Sequence, residues 1–229
     1  VADPVASNHA NVNATLNLLV ASRDAGVRRL VFASSSSIYG DTPTLPKIET
    51  MTPSPLSPYA VAKLASEYYC QVFASLYGLE TVSLRYFNVF GPRQNPDSQY
   101  SAVIPKFIKR YLESNPPTID GDGEQTRAFA YIDNVVHANL RAAVAEGVSG
   151  EIFNISVDTR MSLNALDETL RRLIEAAPGV QPTYGPPRAG DIKHSFADIS
   201  KANRMLGYTP SVSTEEGLRR TVEWYRKAT

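Results

Sequence analysis

The stretch Arg29-Leu30-Val31-Phe32-Ala33-Ser34-Ser35-Ser36-Ser37 decides how this chain folds. A short apolar run that ends in serines predicts a buried strand whose carboxyl end opens onto a polar site. In parallel sheets, active sites gather at the carboxyl ends of strands. Downstream, a Pro- and Thr-rich loop over 41–58 leads to Tyr59-Ala60-Val61-Ala62-Lys63. Ser57 suits a helix cap and Pro58 suits a first turn, so a helix is predicted over 58–77, ended by Gly78. On that helix Tyr59 and Lys63 lie one above the other on the same face. A free phenol, with a pKa of about 10, is a poor base at neutral pH. A fixed ammonium beside it favours the phenolate. A serine hydroxyl nearby can hold a substrate oxygen in line. Such a set takes a proton from an alcohol, which can then lose a hydride. By itself, a Tyr and a Lys at helical spacing reads as an exposed helix face. The strand and serine run upstream give the pair its chemical meaning.

Apolar residues at Val12, Leu16, Leu19 and Val20 predict a helix over 9–25, stopped by Gly26. Strands are predicted over 30–34, 81–87, 118–119 and 152–155. Helices are predicted over 102–114, 133–146, 163–177, 200–206 and 214–227. Strands alternating with helices argue for a parallel α/β sheet. The 229 residues suffice for one sizeable core, or a core with a small lobe. Lys and Arg number 23, as do Asp and Glu, which argues against a general nucleic-acid or anionic-membrane binder. No apolar run is long enough to cross a bilayer. The single Cys70 cannot form an internal disulfide, which fits a reducing cytosol. It reads as a packed helix residue, since no metal ligands stand at suitable spacing.

Further segments add specificity: Ser34-Ser-Ser-Ser-Ile-Tyr-Gly40, Pro55-Leu-Ser-Pro-Tyr-Ala-Val-Ala-Lys63, Leu84-Arg-Tyr-Phe-Asn-Val-Phe-Gly-Pro92, Gly121-Asp-Gly123, and Arg188-Ala-Gly-Asp191 before Ala197-Asp-Ile-Ser-Lys201. With these the chain resembles the extended short-chain dehydrogenase/reductases. Within them it is similar to the NAD-dependent nucleotide-sugar epimerases and dehydratases, and most of all to the UDP-N-acetylglucosamine 4-epimerases of bacterial surface-polysaccharide pathways. The resemblance implies a parallel Rossmann-like sheet with a smaller α/β substrate lobe. Residues 1–90 and a strand near 150–156 would form the C-terminal half of the NAD-binding domain. Residues 91–229 would mostly form the nucleotide-sugar lobe. The family's Gly-x-x-Gly-x-x-Gly pyrophosphate turn is not in the sequence. The expectation is therefore a piece of a longer protein, with roughly 90–100 residues missing upstream, about three strand–helix repeats.

The resemblance also implies roles. Ser35 aligns with the family's catalytic Ser/Thr when Tyr39-Gly40 is the anchor, with Ser34 and Ser36 as close competitors. Ser34 is expected at the cofactor and Ser36 at the substrate. The plain alternative for the serines is satisfying backbone at a strand end. Tyr59 is the expected acid/base, and Lys63 both supports it and bonds the nicotinamide ribose. Asn11 is expected to help position the cofactor, although an early helical Asn is more often a cap. Phe87 is expected near the nicotinamide, with core packing as its plain reading. Asn88 is expected at the substrate diphosphate or sugar. Arg127, Arg188 and Asp191 match diphosphate- and ribose-binding positions, and guanidinium forks suit phosphate oxygens. Where the family usually has Arg-Asp-Phe, this chain has Arg127-Ala128-Phe129, which leaves the local support of Arg127 open. Ser195 stands where a large aromatic would crowd the hexose C2 substituent, so a serine leaves room for an N-acetyl group. Ser36 and Ser37 occupy the place of the dehydratase acid pair. The resemblance thus implies C4 epimerisation of a UDP-hexose, UDP-GlcNAc/UDP-GalNAc foremost, through a 4-keto sugar and bound NAD. A dehydratase, decarboxylase or reductase, or an inactive sugar-nucleotide-binding piece, are the alternatives. A homodimer paired through the helices at 8–25 and 57–77 is expected, with no metal and no nucleic-acid partner.

Overall fold

The computed structural model describes residues 3–97, 102–187 and 193–228. In chain order the elements are α1 (Pro4–Asn8), a π-helical turn (His9–Asn13), α2 (Ala14–Asp24), β1 (Arg29–Ser35), a 3₁₀ turn (Ser36–Tyr39), α3 (Pro58–Tyr77), β2 (Glu80–Tyr86) and β3 (Val89–Phe90). Next come α4 (Val103–Leu112), β4 (Thr118–Asp120), β5 (Thr126–Arg127), β6 (Ala130–Tyr131), α5 (Ile132–Val144) and β7 (Glu151–Ile155). The chain finishes with β8 (Met161–Ser162), α6 (Leu163–Ile174), β9 (Thr183–Gly185), β10 (His194–Ser195), α7 (Ser200–Leu206) and α8 (Thr214–Ala228).

The chain divides into two compact units. The first comprises Val1–Phe87, Val135–Ser156 and Ala197–Thr209. Its sheet has the order β1-β2-β7, with every pairing parallel. The central β2 is buried on both faces through residues 81–85, as a strand covered by helices on each side requires. The first helix begins earlier than the apolar spacing predicted. Asp3 Oδ1 accepts from the Ala6 N–H at 2.8 Å and Pro4 takes the first helical position. A π turn then interrupts the helix at residues 9–13, where the apolar pattern showed nothing unusual. Both caps of α3 match the sequence. Ser57 Oγ accepts from the Ala60 N–H at 3.2 Å, and Gly78 sits in the left-handed conformation beyond Tyr77. Leu19, Phe32, Cys70, Phe73 and Leu79 pack together on the α3 side of β1 and β2. Burial pushes the Cys70 thiol up to about 12, so it stays an unreactive packing group.

The second unit comprises Asn88–Asn134, Val157–Phe196 and Pro210–Thr229. Helices α4, α6 and α8 enclose a core that includes Phe107, Tyr111, Phe129, Leu166, Leu170 and Val222. Its strands are two or three residues long. β3 pairs with β6, β4 with β9, and β5 lies between β10 and β8. No helix among the described residues is long and apolar enough to cross a membrane.

Candidate active site

In the first unit, β1 carries the serine run to its carboxyl end and α3 brings Tyr59 and Lys63 alongside. The Lys63 Nζ donates to the Ala33 carbonyl at 3.0 Å. It stands 5.1 Å from the Phe32 ring centre and 5.7 Å from that of Tyr59. The helical spacing therefore does place the ammonium on the same face as the phenol. Burial pulls the Lys63 ammonium below its ordinary titration range, and the Ala33 carbonyl takes one of its three N–H donors. The Tyr59 side chain is 42% exposed, open to a ligand. Ser35 caps the 3₁₀ turn, its Oγ accepting from the Ser37 N–H at 3.2 Å, while its O–H remains to be given. Ser36 is half-buried at the first position of that turn. The Ser37 hydroxyl is buried with no hydrogen-bond partner among the described residues.

One expectation on this side needs correction. Ser34 does not offer its hydroxyl to a cofactor, because the side chain is buried and bonded to Glu67 Oε1 at 2.5 Å. Strand alternation turns it to the opposite face from Ser35. Phe87 is 1% exposed and packs 6.1 Å from the Tyr39 ring, so it backs the site from within the core. Asn11 is no cap. It sits in the π turn and its Nδ2 donates to the Ser7 carbonyl at 2.9 Å, while its own carbonyl accepts from Ser66 Oγ of α3 at 3.2 Å.

In the second unit, three expected substrate residues come together. Ser195 and Arg127 are register partners in the β10–β5 pair. Asn88 Nδ2 donates to Ser195 Oγ and to the Ala128 carbonyl, each at 3.3 Å. Asn88 holds a positive φ of 38°, a conformation Asn tolerates better than most residues. Ala128 is fully buried, so a carboxylate here would have to be desolvated. Two backbone carbonyls support Arg127. Its Nη1 donates to the Thr126 carbonyl at 3.0 Å and the Lys193 carbonyl at 3.1 Å. Arg188 and Asp191 lie outside the described residues.

A family model described as the NAD dependent epimerase/dehydratase family matches residues 1–156. The chain belongs to that family. The UDP-glucose 4-epimerase of Mycolicibacterium smegmatis is 37% identical over 227 residues, covering 99% of this chain and 71% of the relative. The UDP-glucuronate 4-epimerase of Thermodesulfobacterium geofontis is 39% identical over 219 residues, 95% of this chain and 65% of its own length. The solved UDP-N-acetylglucosamine 4-epimerase of Methanobrevibacter ruminantium M1, in complex with UDP-N-acetylmuramic acid, superposes with a TM-score of 0.95 at 40% identity. It covers 100% of this chain, which in turn covers 73% of that structure.

The epimerase/dehydratase family depends on NAD, and the donor set at the β1 end fits the nicotinamide half of that cofactor. Lys63 keeps two N–H donors beyond the one given to Ala33, suited to vicinal ribose hydroxyls. In the second unit, sequence reasoning missed the neighbours of Gly121-Asp-Gly123. Asp120, Gln125, Gly185 and Lys193 join Asp122 of that motif in lining an open cavity of about 480 Å³ there. The available signal was position, since all but Gly185 lie within a few residues of the quoted motifs.

Proposed function

We propose that this protein is a UDP-hexose 4-epimerase whose preferred pair is UDP-GlcNAc and UDP-GalNAc. One observation carries the reading. An ammonium beside the Tyr59 ring is anchored to the strand end that leads into Ser35. Bound NAD supplies the hydride acceptor and donor. Ser35 holds the C4 oxygen by hydrogen bonding, and Tyr59 takes the C4 hydroxyl proton. Lys63 favours the phenolate that does so and grips the nicotinamide ribose. The same phenol returns the proton once the 4-keto sugar has presented its other face, which inverts C4 with no net redox change. Arg127, Arg188 and Asp191 take the diphosphate and ribose, with Asn88 and Ser36 at the sugar. Ser195 leaves room for an N-acetyl group. The serines at 36 and 37 offer no acid pair for dehydration. The reading assigns the cofactor half-site to the first unit, the sugar-nucleotide residues chiefly to the second, and a homodimer as the working assembly.

The test is direct. The full-length protein with NAD is given UDP-GlcNAc, and NMR follows UDP-GalNAc. A 4-keto-6-deoxy sugar in its place, or carbon dioxide released when a UDP-hexuronate is given instead, moves the protein to another branch of the family. Undiminished turnover by Tyr59→Phe would defeat the assignment of the base.

A further inference from the structure

Behind the strand end lies a polar cluster that the chemistry above leaves unused. Ser34 and Arg85 are register partners across β1 and β2, and Arg85 and Asn154 are partners across β2 and β7. The three side chains therefore form one row on one face of the sheet. All are buried, and Glu67 of α3 stands over them fully buried itself. Glu67 Oε1 accepts from Ser34 Oγ at 2.5 Å and from Arg85 Nε at 2.9 Å, while Oε2 accepts from Arg85 Nη2 at 2.8 Å. Arg85 Nη1 donates to the Tyr39 hydroxyl at 2.8 Å, which donates to Asn154 Oδ1 at 2.7 Å. Asn154 in turn bonds the Lys47 carbonyl at 3.0 Å and takes Glu49 Oε1 on its backbone N–H at 2.8 Å.

A buried ion pair is a weak source of stability beside well-packed apolar groups. What this one joins is more informative. Ser34 directly precedes Ser35, and Glu67 is one helical turn beyond Lys63 on the same face of α3. Tyr39 closes the 3₁₀ turn that begins at Ser36. Lys63 already bonds the Ala33 carbonyl, so α3 grips β1 at two successive residues: Ala33 through Lys63 and Ser34 through Glu67. Arg85 fixes the carboxylate by a two-pronged fork, and Asn154 extends the tie to β7.

We propose that Ser34, Glu67 and Arg85 are positioning residues, a two-point clip that holds β1 and α3 in one register so that Ser35 and Lys63 keep the geometry proton transfer demands. The proposal rests on the reading of Ser35, Tyr59 and Lys63 as the reacting set. The mild probe is Ser34→Ala, which removes one bond and leaves the ion pair. Glu67→Gln keeps the shape and removes the charge. Both are assayed in the full-length protein for kcat and KM, and the Lys63 side chain is titrated by NMR without substrate. A positioning role lowers kcat in Ser34→Ala about tenfold with KM little changed. It also moves the Lys63 titration upward, toward that of an unrestrained lysine, as the strand end loosens. A merely structural cluster leaves both unmoved in folded Ser34→Ala, and that result overturns the clip. Should Glu67→Gln fail to fold, Ser34→Ala decides. A wild type inactive on every UDP-sugar defeats the functional reading above, and the Lys63 titration then decides the clip by itself.

Discussion

At the scale of single residues, Tyr59 and Ser195 have the most to answer for. Replacing Tyr59 by Phe keeps the ring and deletes only the proton carrier. Turnover should fall by ~10²–10⁴-fold while UDP-sugar binding, read by calorimetry, survives. Ser195→Tyr should act on choice of substrate instead. On the proposed reading a ring there would fill the space beside C2, so kcat/KM for UDP-GlcNAc should drop by more than about tenfold while that for UDP-glucose holds. Retained UDP-GlcNAc turnover in this variant would remove Ser195 from the selection of substrate. Gly40 tests the fold beneath the site. Its φ of 62° and ψ of −153° form a backbone state essentially reserved for glycine. An added Cβ would also lie 2.0 Å from the Ser54 carbonyl oxygen. Gly40→Ala should cost at least about 2 kcal/mol in denaturant melts. The local placement of Tyr59 and Lys63 on one helix face and of Ser35 at a strand end was legible in the sequence, because periodicity and capping locate them without knowledge of distant partners. The Ser34 hydroxyl was misread because its partner Glu67 is 33 residues away, and no local pattern announces a bond of that span.

At the scale of elements, legibility followed capping and length. α3 was readable at both ends because Ser57, Pro58 and Gly78 each have one physical reason to stand where they do. Ser57→Ala removes the acceptor for the Ala60 N–H and should lower stability by about 1 kcal/mol, visible as a fall in Tm with little loss of kcat at low temperature. A shift near zero would mean that backbone packing alone sets the start of α3. The strands β3, β5, β6, β8 and β10 have two residues each, too few for alternation to show. Their positions come from tertiary pairing, such as β10 on β5, which sets Ser195 beside Arg127. That juxtaposition was reachable only through resemblance. The π turn at 9–13 was hidden for a related reason: one extra residue in a helical turn leaves the apolar spacing almost intact. Within it the Asn11 side chain donates back to the Ser7 carbonyl of the preceding turn.

At the scale of the whole molecule, the apolar residues of α3 exposed among the described residues bear on assembly. On α3 the side toward the sheet buries Ala62, Ser66, Cys70 and Phe73. Its other side exposes Val61, Tyr68, Val72 and Leu76, the last at 71%. These positions recur at intervals of seven, four and four, a continuous stripe along the helix. Leu18 of α2 adds to the exposed apolar surface of the same unit. A stripe of this length left in water favours association, and in the proposed homodimer two copies of it would lie face to face. β1, at one edge of the three-stranded sheet, offers a competing route to association through its backbone. The two routes separate in one double variant. Tyr68→Lys with Val72→Lys places charge in the stripe and leaves β1 untouched. Multi-angle light scattering should show wild-type dimers and double-variant monomers, with the wild-type Tm alone rising with concentration. Association that persists in the variant assigns the contact to the sheet edge, and a monomeric wild type removes the dimer altogether.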